Sequence, residues 1–344
     1  MLLKITHRTR LDYTSEVEGT IFEARMAPRS DDDQTNHWYE LKSNPNAPLT
    51  SYRDGDGNRV DLFNVFTPYT SLVVQAESFV RTHRRDSLAR LKDENSCVQP
   101  GNVMGLELRE FLKPSTLIPN GEKLREFADS IYWPDWETAS GRAQRLMDSL
   151  SGRLNYESAV THAWSSVEEV LSLNVGVCQD FAHVLIGLAR LKGLPARYVS
   201  GYINQPGQIA THAWAQVWFG PTAGWIDLDP TRSIFATNDH VTVAFGRDYS
   251  DVPPNRGLWV GNAIESIDVV VEITQVERLP SDISDFSPRK NHQASHHRRF
   301  SKVAAFASNV HVTPASHTLL AGSLPRQPFQ PENHPQQTQQ QQCK

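Results

Sequence analysis

Cys178, His212 and Asp229, in that chain order, are the residues whose types and spacing suit nucleophilic chemistry. In such a set the thiolate attacks a carbonyl carbon. The imidazole holds the proton and later delivers it to the leaving amine, while the carboxylate fixes the imidazole tautomer and stabilises its cation. Cys178 lies in Gly176-Val177-Cys178-Gln179-Asp180-Phe181, where the pattern predicts that a helix begins. Phe181, Val184, Leu185, Leu188 and Leu191 make one apolar stripe, Gly193 supplies a stop and Pro195 prevents resumption. A thiol in the first turn sits beside unpaired backbone N–H groups and the positive end of the helix dipole, and both favour the thiolate. Alone this is ambiguous, because a lone cysteine also serves as a small buried apolar residue.

The other two residues share a predicted hairpin. Thr211–Phe219 alternates with aromatic and β-branched members, Gly220-Pro221-Thr222-Ala223-Gly224 is turn chemistry, and Trp225–Thr231 alternates again up to Pro230. With four residues looped out, Phe219 faces Gly224 and Asp229 falls opposite Trp214. Asp229 is then a diagonal neighbour of His212 on one face, roughly 7–8 Å between Cα atoms and within side-chain reach. Asp227 opposes Gln216, about 13 Å along the strand from His212 at about 3.3 Å per residue. A five-residue loop would turn both aspartates to the wrong face, so the choice of Asp229 depends on register. His183, five residues along the helix, is turned from Cys178 by about 140° and reads as structural; His162, on the other side of Cys178 in sequence, carries no assigned role.

These blocks carry a resemblance. Gly176–His183, Leu194-Pro195-Ala196-Arg197-Tyr198-Val199-Ser200-Gly201-Tyr202, His212-Ala213-Trp214 and Asp229-Pro230-Thr231 resemble, in order and spacing, the bacterial transglutaminase-like superfamily. The likeness continues through Val241–Ala244 and Gly246–Pro254. Glu23-Ala24-Arg25, Pro28-Arg29-Ser30 and Gln34 are similar to the β-rich domain that precedes this core in many bacterial members, so coverage is roughly residues 1–280. The resemblance implies a papain-like α+β core shared with animal transglutaminases, with nucleophile, histidine and acid at Cys178, His212 and Asp229. Arg232-Ser233 departs from the Asn-Gly often found after Asp-Pro-Thr, which should alter a loop rather than the chemistry.

The elements needed to position these residues follow from pattern. Strands are predicted at 2–13, 20–28, 37–44, 59–66 and 70–83, with Asp54-Gly55-Asp56-Gly57-Asn58 as a hairpin turn, which argues for an antiparallel β-sandwich over 1–84. Residues 85–120 read as a polar linker with a short helix near 105–112. Helical patterns at about 121–132, 138–150 and 166–173 lead into the cysteine helix, so the catalytic core is expected over 121–280, with a final strand at 267–278. The fold class expected is α+β. From Ser287 onward Pro, Gln, Ser and His dominate, and 287–344 is expected to be a disordered tail, unable to bury enough apolar area to offset its ordering entropy.

Composition bounds the remaining choices. With 344 residues and 39% hydrophobic content the chain can build real cores. No uninterrupted apolar run approaches 18 residues, so no membrane span is expected, and the N-terminus lacks a signal-peptide core. Three widely spaced cysteines, Cys97, Cys178 and Cys343, do not make a disulfide framework, and a reducing cytoplasm suits a working thiolate. No CxxC or HExxH occurs, so neither metal nor cofactor is expected. The tail holds seven Lys/Arg against one Glu while the whole chain is −5, leaving an acidic body that disfavours nucleic acid. His292, His296, His297, Arg298 and Arg299 of the tail could touch an anionic partner, although a solvated extension is the plainer explanation. Oligomeric state is not legible.

Amide bonds of peptides or proteins are therefore the expected substrates. The acyl-enzyme can be resolved by water, as in a peptidase or amidase, or by a primary amine, as in a transglutaminase. The expectation leans toward water, because bacterial relatives of compact two-domain layout resemble hydrolases. A non-catalytic peptide-binding module is the alternative from a different class, and an intact Cys, His and Asp speaks against it. Trp214, Trp218, Trp225 and Tyr249 would suit an extended peptide if they left an open aromatic surface beside the thiolate; core packing is the plainer explanation of such a stripe.

Overall fold

The computed structural model describes residues 1–93, 105–205, 211–284 and 311–314. In chain order the strands β1 (Leu2–Ala24), β2 (Gln34–Asn44), β3 (Leu49–Arg53), β4 (Arg59–Val65) and β5 (Tyr69–Thr82) come first. Helices α1 (Ser87–Asp93), α2 (Leu106–Glu110), α3 (Glu122–Ser130) and α4 (Ala139–Leu150) follow. The short parallel pair β6 (Asn155–Tyr156) and β7 (Val175–Gly176) brackets α5 (Val167–Leu173), and α6 (Cys178–Leu191) comes next. Then come β8 (Ala196–Ile203), β9 (Thr211–Trp218), β10 (Trp225–Asp229), β11 (Ile234–Phe235), β12 (His240–Gly246), β13 (Asn255–Val260), β14 (Glu265–Gln275) and β15 (His311–Pro314).

The first sheet is built around one long strand. Residues 2–12 of β1 lie between β5 and β14, and residues 20–24 lie between β4 and β13. The register slips between Asp12 and Val17 and again between Glu18 and Ile21, and Gly19 takes φ +60° in that bend. Two sheet halves thus share one curled strand instead of the two separate strands expected at 2–13 and 20–28. Leu11, Tyr13, Phe22, Phe63, Leu72, Val74 and Trp259 fill the space between the halves. The turn at 54–58 forms as expected, closed by Asp54 N–H to the Asn58 carbonyl at 3.0 Å, with Gly57 at φ +76°.

Sequence order and sheet membership part company after the β9–β10 hairpin. β13 and β14 follow it in the chain yet pair with β1, so the strand expected at the end of the core belongs to the first sheet. A single strand's alternation marks it as half-buried but carries no information on which sheet it joins. The region expected as a linker is also part of the body: Leu91, Phe111, Leu117 and Ile118 are buried. His311–Pro314, within the segment expected to be disordered, runs antiparallel to β13; the remainder of the tail, including the basic cluster at 292–299, lies outside the described residues.

The second sheet has the order β11-β10-β9-β8-β12 and is antiparallel throughout. Helix α6 packs on β8 and β9, which is why its residues are buried on nearly every side. β12 is the sheet's edge, and the first sheet closes that edge with side chains. The Gln34 amide donates to the Thr242 carbonyl and accepts from Thr242 N–H, both at 2.8 Å. Asn58 does the same for Phe245, at 2.9 and 3.0 Å. Two carboxamides thereby stand in for a neighbouring strand and satisfy backbone groups that an open edge would leave unpaired. Leu3, Ile5 and Val80 add to the same core as α6, so the two layers share one hydrophobic interior.

Two histidines are enclosed by this arrangement. His7 Nδ1 is 2.8 Å from the Tyr202 hydroxyl, and His183 Nε2 accepts the Tyr249 N–H at 3.1 Å. Burial pushes each imidazole down to about 4, against about 6.5 in an open chain. Between those values the unfolded chain binds protons that the folded one does not, so stability is complete above pH 6.5 and declines as pH falls toward 4, by up to about 3 kcal/mol per histidine. Urea melts at pH 7.5 and pH 5 should show the lower midpoint at pH 5; equal midpoints would refute the assignment.

Candidate active site

Cys178 is the first residue of α6, as its motif predicts. The turn before it is fixed by Asp180, whose Oδ2 accepts the Val177 N–H at 2.9 Å and the Thr161 hydroxyl at 2.8 Å. Gly176 is required for this: a Cβ there would fall 2.6 Å from Asp180 Cβ. The spacing Gly-Val-Cys-Gln-Asp is thus the imprint of an acid that caps the helix holding the thiol. Two features differ from expectation. Cys178 is only 1% exposed, although a working thiolate is expected there, and its sulfur is disulfide-bonded. Cys97 and Cys343 lie outside the described residues; thiolate chemistry requires the Cys178 disulfide reduced.

The hairpin adopts the four-residue loop. Trp218 pairs with Trp225, Val217 with Ile226, Gln216 with Asp227 and Ala215 with Leu228, and Phe219 N–H reaches the Gly224 carbonyl at 3.1 Å. Each aspartate then does what its register dictates. Asp227 Oδ1 accepts the Trp214 indole N–H at 2.6 Å and the Gln216 amide at 2.9 Å. Asp229 Oδ2 lies 2.8 Å from His212 Nε2. With Nε2–H donating to the carboxylate, His212 keeps Nδ1 as its basic atom.

Asp229 is fully buried and accepts from three directions. Besides His212, its Oδ2 meets His240 Nε2 at 3.1 Å, and Oδ1 accepts the Thr231 N–H at 3.1 Å. Burial alone would push this carboxyl up. The His212 charge and the bonds from both histidines outweigh it and hold the group well below the usual carboxylate range. The ligand-type atoms of His212, Asp229 and His240 lie within 4.8 Å of one another, compact enough to admit a metal ion. Their hydrogen bonds to one another already satisfy them, so we read the cluster as a proton network.

His240 and Arg84 were not found by sequence reasoning. Arg84 follows β5, and its side chain is 6% exposed, with Nη1 3.2 Å from Asp227 Oδ2. Its Nε donates to the His240 carbonyl at 3.2 Å and its Nη2 to the Thr242 hydroxyl at 3.0 Å. An arginine at the end of a strand carries no local signal of such a role. His240 had a faint one, since it opens the alternating segment Val241–Ala244 already marked by resemblance. The aromatic stripe is largely interior, as the plainer core-packing explanation predicts: Trp214 and Tyr249 are buried, while Trp218 and Trp225 are half-buried against each other and Arg197.

The chain matches the family model of the transglutaminase-like superfamily over residues 126–230, and that of the bacterial transglutaminase-like N-terminal region over residues 3–81. An uncharacterized protein of Mycobacterium tuberculosis is 32% identical over 298 residues, covering 80% of this chain and 93% of the relative. Another from Mycobacterium leprae is 29% identical over 294 residues, covering 80% and 99%. A protein-glutamine gamma-glutamyltransferase of Pseudomonas aeruginosa is 29% identical over 129 residues, 33% of this chain and 18% of its own. A solved structure from Cytophaga hutchinsonii, provisionally named a cysteine protease, shares the fold with a TM-score of 0.64 at 22% identity, covering 81% of this chain and 93% of its own. The chain belongs to the transglutaminase-like superfamily, whose members are cysteine-dependent enzymes. No helix among the described residues is long and apolar enough to cross a membrane.

Arg84 and Asp227 form a buried ion pair, and removing one partner strands the other. Arg84→Met should therefore cost about 3–5 kcal/mol in a urea melt. The double variant Arg84→Met/Asp227→Asn should lose less than the sum of the singles. Additive losses would show that the pair is not coupled.

Proposed function

We propose that this protein is a thiol-dependent acyl-transfer enzyme acting on amide bonds of peptides or proteins, with Cys178 as nucleophile, His212 as proton carrier and Asp229 as the orienting acid. The observation that carries this reading is the 2.8 Å bond from His212 Nε2 to Asp229 Oδ2, on strands beside the helix that Cys178 opens. With Cys178 reduced, its thiolate sulfur bonds to the amide carbon and the carbonyl oxygen becomes an oxyanion. Collapse breaks the C–N bond as the His212 imidazolium gives its Nδ1 proton to the departing amine, leaving a thioester. A water molecule, deprotonated by His212, then attacks the thioester and releases the acid and the thiolate.

Resolution by water is the reading we favour, which makes the protein a cysteine peptidase or amidase. Similarity to the Pseudomonas aeruginosa gamma-glutamyltransferase supports a second: a primary amine attacks the same thioester and forms an isopeptide bond. The two share every step up to the acyl-enzyme and differ in whether the site excludes water and holds an amine. A non-catalytic peptide-binding module is the remaining class. The chemistry needs a reducing compartment, which a cytoplasmic location supplies.

After reduction, iodoacetamide should label Cys178 in preference to Cys97 and Cys343 below about pH 7, because Cys178 is in the first turn of α6, where the helix terminus favours the thiolate. Uniform labelling would favour the binding module. Cys178→Ser should abolish turnover of a peptide library while leaving the thermal melt the same as that of the reduced native protein, so that loss of the disulfide is matched in both. Asp229→Asn should lower turnover on the order of 10⁴-fold, far more than Asp227→Asn measured on folded protein. Equal losses would break the assignment of the acid. Mass spectra of products formed with and without an added primary amine distinguish hydrolysis from isopeptide formation.

A further inference from the structure

Hairpin register brings Asp229 within reach of His212 but does not orient the carboxylate. A diagonal pair on twisted strands leaves the acid free to rotate about its last torsion, and any rotation would swing Oδ2 away from the imidazole. Something must oppose that rotation. Thr231 N–H holds Oδ1 from one side. The remaining contact is His240 Nε2, 3.1 Å from the same Oδ2 that His212 uses.

His240 is itself held at every polar atom. The Thr237 N–H donates to Nδ1 at 3.0 Å, so Nδ1 carries no proton and the ring's single N–H is at Nε2, aimed at Asp229. The His240 carbonyl takes the Arg84 Nε–H at 3.2 Å. Its ring meets Trp214 edge-on, 5.2 Å between centroids at 83°, and lies 6.0 Å from the His212 ring. The side chain is fully buried, and its burial favours the neutral form against the pull of Asp229. The charged groups packed around it are Asp229 and His212, Arg84 from the end of β5, Asp227 on β10, and Asp239, whose carboxylate holds the Thr237 hydroxyl.

Its approach across the sheet is allowed by one glycine. β8 separates β9 from β12, and Gly201 on β8 pairs with His212 on one side and Thr242 on the other. A Cβ at Gly201 would lie 2.4 Å from Trp214 Cη2, so only glycine leaves room for the indole that touches both histidine rings.

We propose that His240 is a positioning residue for the candidate triad, a second imidazole that donates from Nε2 to Asp229 Oδ2 and locks the carboxylate in the orientation His212 needs. The inference rests on the acyl-transfer reading for its purpose, while the network it describes can be tested without turnover. Nitrogen-15 spectra of histidine-labelled Cys178→Ser protein should show His240 as the neutral Nε2–H tautomer, its proton perturbed by Asp229→Asn. An Nδ1–H tautomer, or no response to Asp229→Asn, would overturn the proposal whatever the enzyme does.

Function is then read with two substitutions. His240→Gln keeps a donor near the Nε2 position, and His240→Leu keeps the bulk without it. On reduced, folded protein His240→Leu should slow iodoacetamide alkylation of Cys178 at pH 6 by about tenfold. Where amide turnover is measurable it should lower kcat by about 10²-fold with little change in KM, the scale of loss when a catalytic group is misplaced. His240→Gln should recover most of both. If Leu alkylates like the native protein, or Gln is as impaired as Leu, His240 only fills space. Native protein that fails to label selectively would sink the acyl-transfer reading instead, and the tautomer would still decide the network.

Discussion

A single negative charge inside the protein, the carboxylate of Asp229, sets the terms for the structure around it. A buried carboxylate is tolerated only when hydrogen-bond donors replace the water it has lost. Here three N–H groups do so, from His212 on β9, His240 on β12 and the backbone of Thr231 just beyond β10. Those donors come from segments with no reason of their own to converge. The hairpin needs a four-residue loop, β8 needs a glycine where the Trp214 ring crosses it, and β12 must be held at a fixed distance.

The first sheet meets the last of these needs. β12 is an edge strand, and edges drift unless something covers them. Gln34 and Asn58 imitate a neighbouring strand along it, and Arg84 ties its first residues to the buried Asp227. The two carboxylates of β10 are thus divided. Asp227 is spent on structure, with Arg84, Trp214 and Gln216, and Asp229 is left to the histidines. This accounts for an N-terminal β layer that contributes no residue to the candidate triad yet shares a hydrophobic interior with the helix that opens at Cys178.

At the other end of the site, Asp180 caps the helix that opens at Cys178 from within its own first turn, and Gly176 makes room for it. The thiol so placed is buried and disulfide-bonded. A sulfur in that state is protected from the solvent until reduction frees it, and only the freed thiolate can do acyl transfer.

What the residues alone determined was local. Helix α6 and its first residue follow from an apolar stripe and a glycine stop. The hairpin pairing follows from alternation plus turn chemistry, and with it the choice of Asp229 over Asp227, because parity in a strand is set by counting. What only the tertiary structure decided involves partners far apart in sequence. His240 bonds an aspartate eleven residues earlier across two intervening strands. Arg84 reaches a carboxylate more than a hundred residues away. β13 and β14 return to the first sheet although the chain has just left the second. Periodicity reports which face of an element is buried, not what it is buried against. The burial of Cys178 and of the region expected to be a linker followed from that second fact, which no short stretch of sequence contains.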